Sequence, residues 1–390
     1  MSDERQARAV WTVIAEPGDP VAGELVSWVG GDRALRWVRS LCTGRADWSL
    51  LDDEHDPTPL SASVRRRLVT RAHAWGQRLE AARTVLDVAA RTDFEVVIPS
   101  DPHWPAGLDD LACTAPFALW LRGTLGRPPI ATSGSVALVG SRACTAYGQR
   151  MAVELADDLA ARGVVVVSGG AYGIDAAVHR GALSSGVTWV VLAGGLDRPY
   201  PAGHRRLFGQ VVDDGGALLG EAPPGAVPAK HRFLQRNRLI AAITGGTVVV
   251  EAAWRSGALS TANHAANLLR PVGAVPGQVT SAASAGCHRL IREGTAVCVT
   301  DTAEIVELIG PVGARADETV VVTTPFDRLD QRSRAVHDAL ATRTTTSVAE
   351  LVERTGGSIV EVRASLGRLD LAGLVVRDGE GWRAVGVRTS

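Results

Sequence analysis

The sequence predicts an α/β protein with a parallel, doubly wound sheet, a small all-α domain before it and a winged-helix domain after it. Three observations carry this. Short β-branched runs alternate with helical stretches between about residues 94 and 310. Residues 1–93 show apolar positions at helical spacing and no β-rich run. Residues 325–386 read as three helices followed by a hairpin. At 390 residues the chain is also too long for one ordinary domain.

In the first segment the helical spacing is carried by Leu25, Val26 and Val29, and again by Leu68, Ala72, Trp75 and Leu79. Breakers at Pro17-Gly18, Gly30-Gly31, Pro57 and Pro59 divide it into short helices. The strand runs of the central region are Val96–Ile98, Ala118–Leu121, Val136–Val139, Val164–Val167, Thr188–Leu192, Ala217–Leu219, Thr247–Val250, Val272–Val275 and Ala296–Val299. Several lack polar alternation, as strands buried on both faces do. Helices are expected over Ala146–Arg162, Ile174–Ser185, Asn237–Thr244 and Ala258–Leu269. A ligand of such a sheet lies beyond the carboxyl ends of its strands. Residues 311–324 form a Pro/Gly-bearing linker. The last unit, 325–390, has helices over Leu329–Ala341, Val348–Thr355 and Ile359–Leu371, then a turn at Asp378-Gly379-Glu380-Gly381 between two short strands.

A composition of 46% hydrophobic and 21% charged residues forms cores and excludes a disordered or collagen-like chain. A net charge of -1 excludes a uniformly basic coat, but not a local basic strip. Lys230 is the single lysine, which fits an Arg- and Ala-heavy genome. The five cysteines are odd in number, widely spaced and without a CxxC pair, so neither a disulfide framework nor a zinc cluster is expected. They fit a reducing cytoplasm. No signal-like apolar segment opens the sequence, and the longest apolar runs are strand-length, so no membrane association is expected.

Four loops carry the chemistry. Gly140-Ser141-Arg142 comes after the Val136–Val139 run and precedes a helix. Glycine admits backbone amides to an anion, serine donates a hydroxyl and arginine offers a planar fork. The bland alternative is a plain turn with a surface arginine. Ser168-Gly169-Gly170 opens a second glycine-rich turn ending at Asp175. It matches neither GxGxxG nor GxxxxGK[ST], so a dinucleotide or P-loop site has no support. Asp175 and His179 share a helix face. A capping Asp175 bonded to His179 is favoured there over a metal site, for which no third ligand is evident. The third stretch, Lys230–Arg238, contains Lys230, Arg232, Phe233, Arg236, Asn237 and Arg238. No acid occurs between Glu221 and Glu251. Concentrated charge with an interleaved aromatic suits a phosphate backbone with bases nearby; the alternative is a solvated charged loop. The fourth, Ser256-Gly257 and the hydroxyls after it, comes after Glu251 and opens a helix whose amino end suits phosphate or is simply capped. Cys287 beside His288 lacks an orienting carboxylate and is rejected as a nucleophile. Phosphate-friendly loops without a complete catalytic set favour binding along a polyanion over chemistry, and no cofactor or metal is expected. The loops are expected to converge on one positively lined trough.

In this order the motifs resemble the DNA-processing protein A (DprA/Smf) family. They are ValGlySerArg at 139–142, TyrGly at 147–148, SerGlyGlyAlaTyrGlyIleAsp at 168–175 with His179, and TyrPro at 200–201. They continue with ArgAsnArg at 236–238, Glu251, SerGlyAlaLeuSerThrAla at 256–262, ValProGly at 275–277 and GlyCys at 286–287. The resemblance spans roughly 96–310. It implies an extended Rossmann-like domain, with a SAM-like helical domain before it. It implies single-stranded DNA binding through Gly140, Ser141, Arg142 and the Lys230–Arg238 strip, a homodimer, and partnership with the RecA recombinase during natural transformation. His204, His288 and Leu234 depart from the family's usual Asn, Asn and Pro. Residues 311–390 hold 11 arginines and 11 acids, so the winged unit lacks the basic charge of a duplex grip and is read as a protein-contact or regulatory element. Two other readings stay open. One is a nucleotide-processing enzyme like the nucleoside-monophosphate phosphoribohydrolases, with Glu251 as acid/base. The other is a winged-helix transcription regulator.

Overall fold

The computed structural model describes residues 3–44, 46–52, 61–126, 134–310, 329–342 and 344–385. The chain divides into two compact units, Met1–Asp317 and Glu318–Ser390. The linker expected at 311–324 lies outside the described residues.

Among the described residues the first unit opens with the α-helices α1 (Asp3–Ile14), α2 (Pro20–Val29), α3 (Gly31–Cys42), α4 (Ala62–Gly76) and α5 (Leu79–Ala89). Asp19 caps α2 by accepting from the amides of Val21 and Ala22, with Pro20 at the first helical position, where its missing N–H costs nothing. Trp11, Trp37 and Trp75 are fully buried here, and Trp11 meets Trp75 edge-on at 5.2 Å. This core takes five of the chain's ten tryptophans, Trp28 and Trp48 packing against it. Among the contacts that join the helices to the sheet region, the Trp120 indole donates to Thr12 Oγ1 at 3.2 Å, Arg5 donates to Asp101 at 2.7 Å, and Phe117 is buried in the helical core.

All nine β-branched runs form strands: β1 (Glu95–Val97), β2 (Leu119–Gly123), β3 (Ser135–Gly140), β4 (Val165–Ser168), β5 (Thr188–Leu192), β6 (Ala217–Gly220), β7 (Thr247–Glu251), β8 (Val272–Ala274) and β9 (Val297–Cys298). They make one sheet in the order β1-β2-β6-β5-β4-β3-β7-β8-β9. The β1–β2 and β2–β6 pairs are antiparallel, and the other pairs are parallel. Successive strands run outward from β3 to β6 and then restart beside β3 with β7. The crevice between the carboxyl ends of β3 and β7 is therefore the switch point where such sheets bind ligands.

The helices of this region are α6 (Ala146–Ala161), α7 (Ile174–Ser185), α8 (Arg205–Asp213), α9 (Lys230–Ile243), α10 (Ala258–Asn267), α11 (Ala285–Arg292) and α12 (Thr302–Ile309). Alternate strand residues feed two cores. Val136, Leu138, Val248 and Val250 pack with α6 and α7, while Ala137, Val139 and Val249 pack with α9 and α10. The helix expected to start at Asn237 instead starts at Lys230, so the basic strip is helical rather than a loop. No breaker interrupts Lys230–Arg238, and Ala229 enters it in an extended conformation.

The second unit contains α13 (Gln331–Asp338), α14 (Val348–Thr355) and α15 (Ile359–Leu371), then β10 (Val375–Asp378) paired with β11 (Gly381–Ala384). Ser347 with Glu350, and Ser358 with Glu361, form reciprocal capping boxes that start α14 and α15. Leu351, Leu366, Leu369 and Val375 form its core. This is a winged helix whose two-residue hairpin loop has Gly379 at φ +62, a conformation glycine adopts without strain.

Candidate nucleic-acid interface

A cleft of about 740 Å³ opens at the switch point. Its walls come from the loop after β3 (Gly140, Ser141, Arg142), the first two turns of α9 (Lys230, Phe233, Leu234, Asn237) and the loop after β7 (Ala253, Arg255, Ser256, Gly257), with Asp175 and Arg236 also lining it. Arg142 and the α9 segment thus face a shared space. The Arg142 guanidinium lies 5.0 Å from the centre of the Phe233 ring, and Phe233 meets Tyr200 edge-on at 5.9 Å. An aromatic plane and a cation side by side suit a stacked base and its phosphate.

The helical form of α9 sorts its charges by direction. Lys230, Phe233, Leu234 and Asn237 stand at i, i+3, i+4 and i+7, one stripe of a helix, and this stripe faces the cleft. Arg232 points away and meets Glu16 at 3.1 Å. Arg238 is 3% exposed and is paired with buried Glu221 at 2.8 Å. Arg236, also buried, donates to the carbonyl oxygens of Gly169 (2.6 Å) and Val191. Burial lowers its pKa to about 10; Asp175 opposes that shift and Arg142 adds to it. Arg236 therefore closes the cleft floor as a cation held by backbone. The strip read as one basic patch is one cleft-facing lysine flanked by three arginines with protein partners of their own.

By contrast, the side chains of Arg142, Lys230 and Arg255 make no hydrogen bond or ion pair among the described residues, although all three line the cleft. Sequence reasoning misses Arg255. A signal for it exists: a cation directly before Ser256-Gly257, on a loop leaving a strand's carboxyl end.

The loops are held from behind. Ser141 N donates to the Glu251 carbonyl at 2.7 Å, and its hydroxyl donates to Ala143 O at 3.1 Å. The Glu251 carboxylate accepts from the amide (2.8 Å) and hydroxyl (2.7 Å) of Thr145, the residue that caps α6. A Cβ on Gly140 would lie 2.6 Å from Ile174 Cγ1 and 2.8 Å from Glu251 O, so glycine is required there for close approach. One on Gly169 would lie 2.6 Å from the Arg236 guanidinium carbon. Ser168 is fully buried and donates to Leu138 O at 2.7 Å, and Gly170 O pairs with His204 Nδ1 at 3.0 Å. Ser168, Gly169 and Gly170 thus stand behind the cleft wall and shape it. Asn237 Nδ2 donates to Gly257 O at 3.4 Å, which ties α9 to the β7 loop, and Ser256 Oγ accepts from Ala258 N at 3.3 Å.

The pairing expected between Asp175 and His179 is not formed. Asp175 accepts from Ala171 N at 3.1 Å, while His179 Nδ1 meets Thr188 Oγ1 at 2.8 Å. A helix turns residues i and i+4 to one face, but here that face abuts β4 and β5, and the strand hydroxyl is nearer. The Thr188 hydroxyl donates to Val166 O, so it accepts from His179 Nδ1–H. Burial first, then the charges of His204 and Arg236, lower the His179 pKa to about 3. Cys287 is buried and burial pushes its thiol up to about 12, far from a reactive thiolate. His288 instead faces Gly277 O at 3.1 Å. Among the described residues no cluster of three or more His, Cys, Asp or Glu could hold a metal, and no helix is long and apolar enough to cross a membrane.

Fold and cleft define a doubly wound α/β protein with a cation-lined crevice at its switch point and a winged helix at its carboxyl end. The chain belongs to the DNA recombination-mediator protein A family, which it matches over residues 95–310, and residues 323–381 match the DprA winged helix domain. It is 43% identical over 343 residues to the putative DNA processing protein DprA of Mycobacterium tuberculosis, covering 84% of this chain and 87% of that protein. It is 37% identical over 292 residues to protein Smf of Escherichia coli, covering 72% and 74%. The X-ray structure of DNA processing protein A from Streptococcus pneumoniae superposes with a TM-score of 0.57 at 27% identity, over 78% of this chain and 97% of that one. The family likeness read from the loops therefore holds.

Proposed function

We propose that the cleft binds single-stranded DNA and that the protein, catalysing no reaction itself, prepares strands for the RecA recombinase as a cytoplasmic homodimer. The observation that carries this is the set Arg142, Lys230 and Arg255, three cations around one cleft whose side chains have no hydrogen-bond or ion-pair partner among the described residues. A polyanion supplies what they lack, and Phe233 beside Arg142 supplies a stacking plane. Gly140, Ser141, Asn237, Ser256 and Gly257 add backbone and side-chain polar groups to the same walls. The names borne by the relatives, DNA processing proteins, support the choice of DNA.

The enzyme reading is weaker. Both Glu251 carboxylate oxygens are engaged by Thr145, and Glu251 is not among the cleft-lining side chains, so it is not poised to exchange protons with a bound nucleotide. For the winged unit, a balance of 11 arginines and 11 acids in residues 311–390 favours contact with protein over a grip on duplex. We assign residues 1–93 to the helical region, 94–310 to the DNA-binding domain and 325–390 to the winged helix.

Gel-shift titration with single-stranded and duplex oligonucleotides tests the proposal, together with the rate of RecA filament formation on the same strands. Single strands should bind tighter than duplex, and Arg142→Ala and Lys230→Ala should each weaken binding to every sequence alike. Full binding by the double variant would show that the cleft is not the interface.

A further inference from the structure

Trp254 lies just outside the cleft and no element of the cleft uses it. It stands on the loop after β7, between Ala253 and Arg255, both of which line the cleft. Each neighbour is one Cα step, about 3.8 Å, away. Trp254 is 49% exposed, whereas Trp11, Trp37, Trp75 and Trp120 are fully buried. Two guanidinium groups of α11 lie against its ring, Arg289 at 5.0 Å and Arg292 at 5.9 Å from the centroid. Arg289 also donates to the Trp254 carbonyl at 3.4 Å, and its nearest carboxylate is Glu293 at 3.8 Å. The Arg292 side chain makes no ion pair or hydrogen bond among the described residues.

We infer that Trp254, with Arg289 and Arg292, is a second subsite for single-stranded DNA, taking a base that has left the cleft past Arg255. This rests on the reading of the cleft given above. A half-exposed indole presents a flat apolar face that water solvates poorly, and any base can stack on it whatever its sequence. The arginines against the ring hold its orientation and place positive charge where the flanking phosphates run. Gly286 N donates to Ala252 O at 2.7 Å, so the start of α11 is fixed to the loop that carries Trp254. Strand continuity is the physical content: a short oligonucleotide fills the cleft alone, and a longer one reaches both subsites.

The test uses the full chain and oligothymidines of about 5 and about 20 nucleotides, lengths that bracket a single-domain site. Trp254→Ala should weaken binding of the long strand roughly fivefold to a hundredfold, the loss of one stacked base, and leave the short strand unchanged. Arg292→Ala should give a smaller loss with the same length dependence. Trp254→Phe, which keeps a stacking ring, should retain most of the long-strand affinity but lose much of the tryptophan quenching that the long strand produces. Unchanged long-strand affinity in Trp254→Ala, alongside weakened binding in Arg142→Ala, overturns the second subsite and leaves the cleft standing. Unchanged affinity in both overturns the cleft as well. Equal loss for both lengths in Trp254→Ala would place the indole within the first site and refute a separate one. A changed sedimentation of DNA-free Trp254→Ala, with normal long-strand binding, would make the cluster a contact between copies of the chain instead.

Discussion

The salt dependence of DNA binding can be worked from the partners of each cation. A single strand releases about 0.7 counterion per neutralised phosphate, and log affinity falls against log salt with that slope per contact. Of the cations on α9 and in the cleft, Arg232 is held by Glu16, Arg238 by Glu221 and Arg236 by two carbonyl oxygens, while Arg142, Lys230 and Arg255 have no carboxylate or carbonyl partner for their charge among the described residues. Three contacts give a slope of about -2 for a strand confined to the cleft. Removing Arg142, Lys230 or Arg255 should each bring it to about -1.4. Arg232→Gln, at a residue that meets Glu16 and does not line the cleft, should leave it unchanged. The assay is fluorescence anisotropy of a short labelled oligothymidine across a salt series. A slope that falls as far in Arg232→Gln as in Arg142→Ala would refute the sorting of charges by helix face, because binding would then track net charge rather than geometry.

Three further outcomes are expected. Glu221→Ala leaves Arg238 charged and buried without its partner and should destabilise the larger unit by about 3–5 kcal/mol in denaturant titration, whereas Glu16→Ala at the half-exposed pair should cost about 0–1 kcal/mol; similar losses for the two would contradict the assignment. His179 is held neutral, with a pKa near 3 against an ordinary 6.5, so its contribution is present above about pH 6.5 and is lost as pH falls toward 3, by up to about 1.4 kcal/mol per pH unit; the stability difference between the native chain and His179→Gln should shrink over that window, and a constant difference would refute it. A Cβ at Gly257 meets nothing within 4 Å, so Gly257→Ala should change stability by less than about 0.5 kcal/mol yet weaken DNA binding, while Gly140→Ala should cost about 1–3 kcal/mol, both read from melting and binding curves.

Local signals decide how much of the fold and cleft is legible in the sequence. Runs such as Val136–Val139 and Val248–Val250 are uniformly apolar because both faces of their strands are covered, and that is visible in the chain itself. The glycine turns are legible because the glycines themselves, set between a strand run and a helix, are the signal, although the neighbour a Cβ on Gly140 would strike is not. The fates of Arg232, Arg236 and Arg238 are not legible, because their partners Glu16, Gly169 and Glu221 are distant in sequence and brought near by the sheet. A run of cations looks the same whether water, carboxylate or carbonyl waits for each one. The helical start at Lys230 is hidden for a related reason, since polar residues entering a helix lack the apolar periodicity that announces one. Trp254 carries no sequence signal; its exposure alone marks it out.

The rear of α9 gives the first unit a property its linear map conceals. Glu16 holds Arg232, and Gly18 donates to the same Glu221 that neutralises Arg238. The leading helices therefore act as the backstop of the lever whose front edge meets the ligand. A chain cut near residue 93 would keep every cleft-lining side chain and still lose the bracing that aims Lys230 and Phe233. Trimming at that seam removes a part of the instrument rather than its handle.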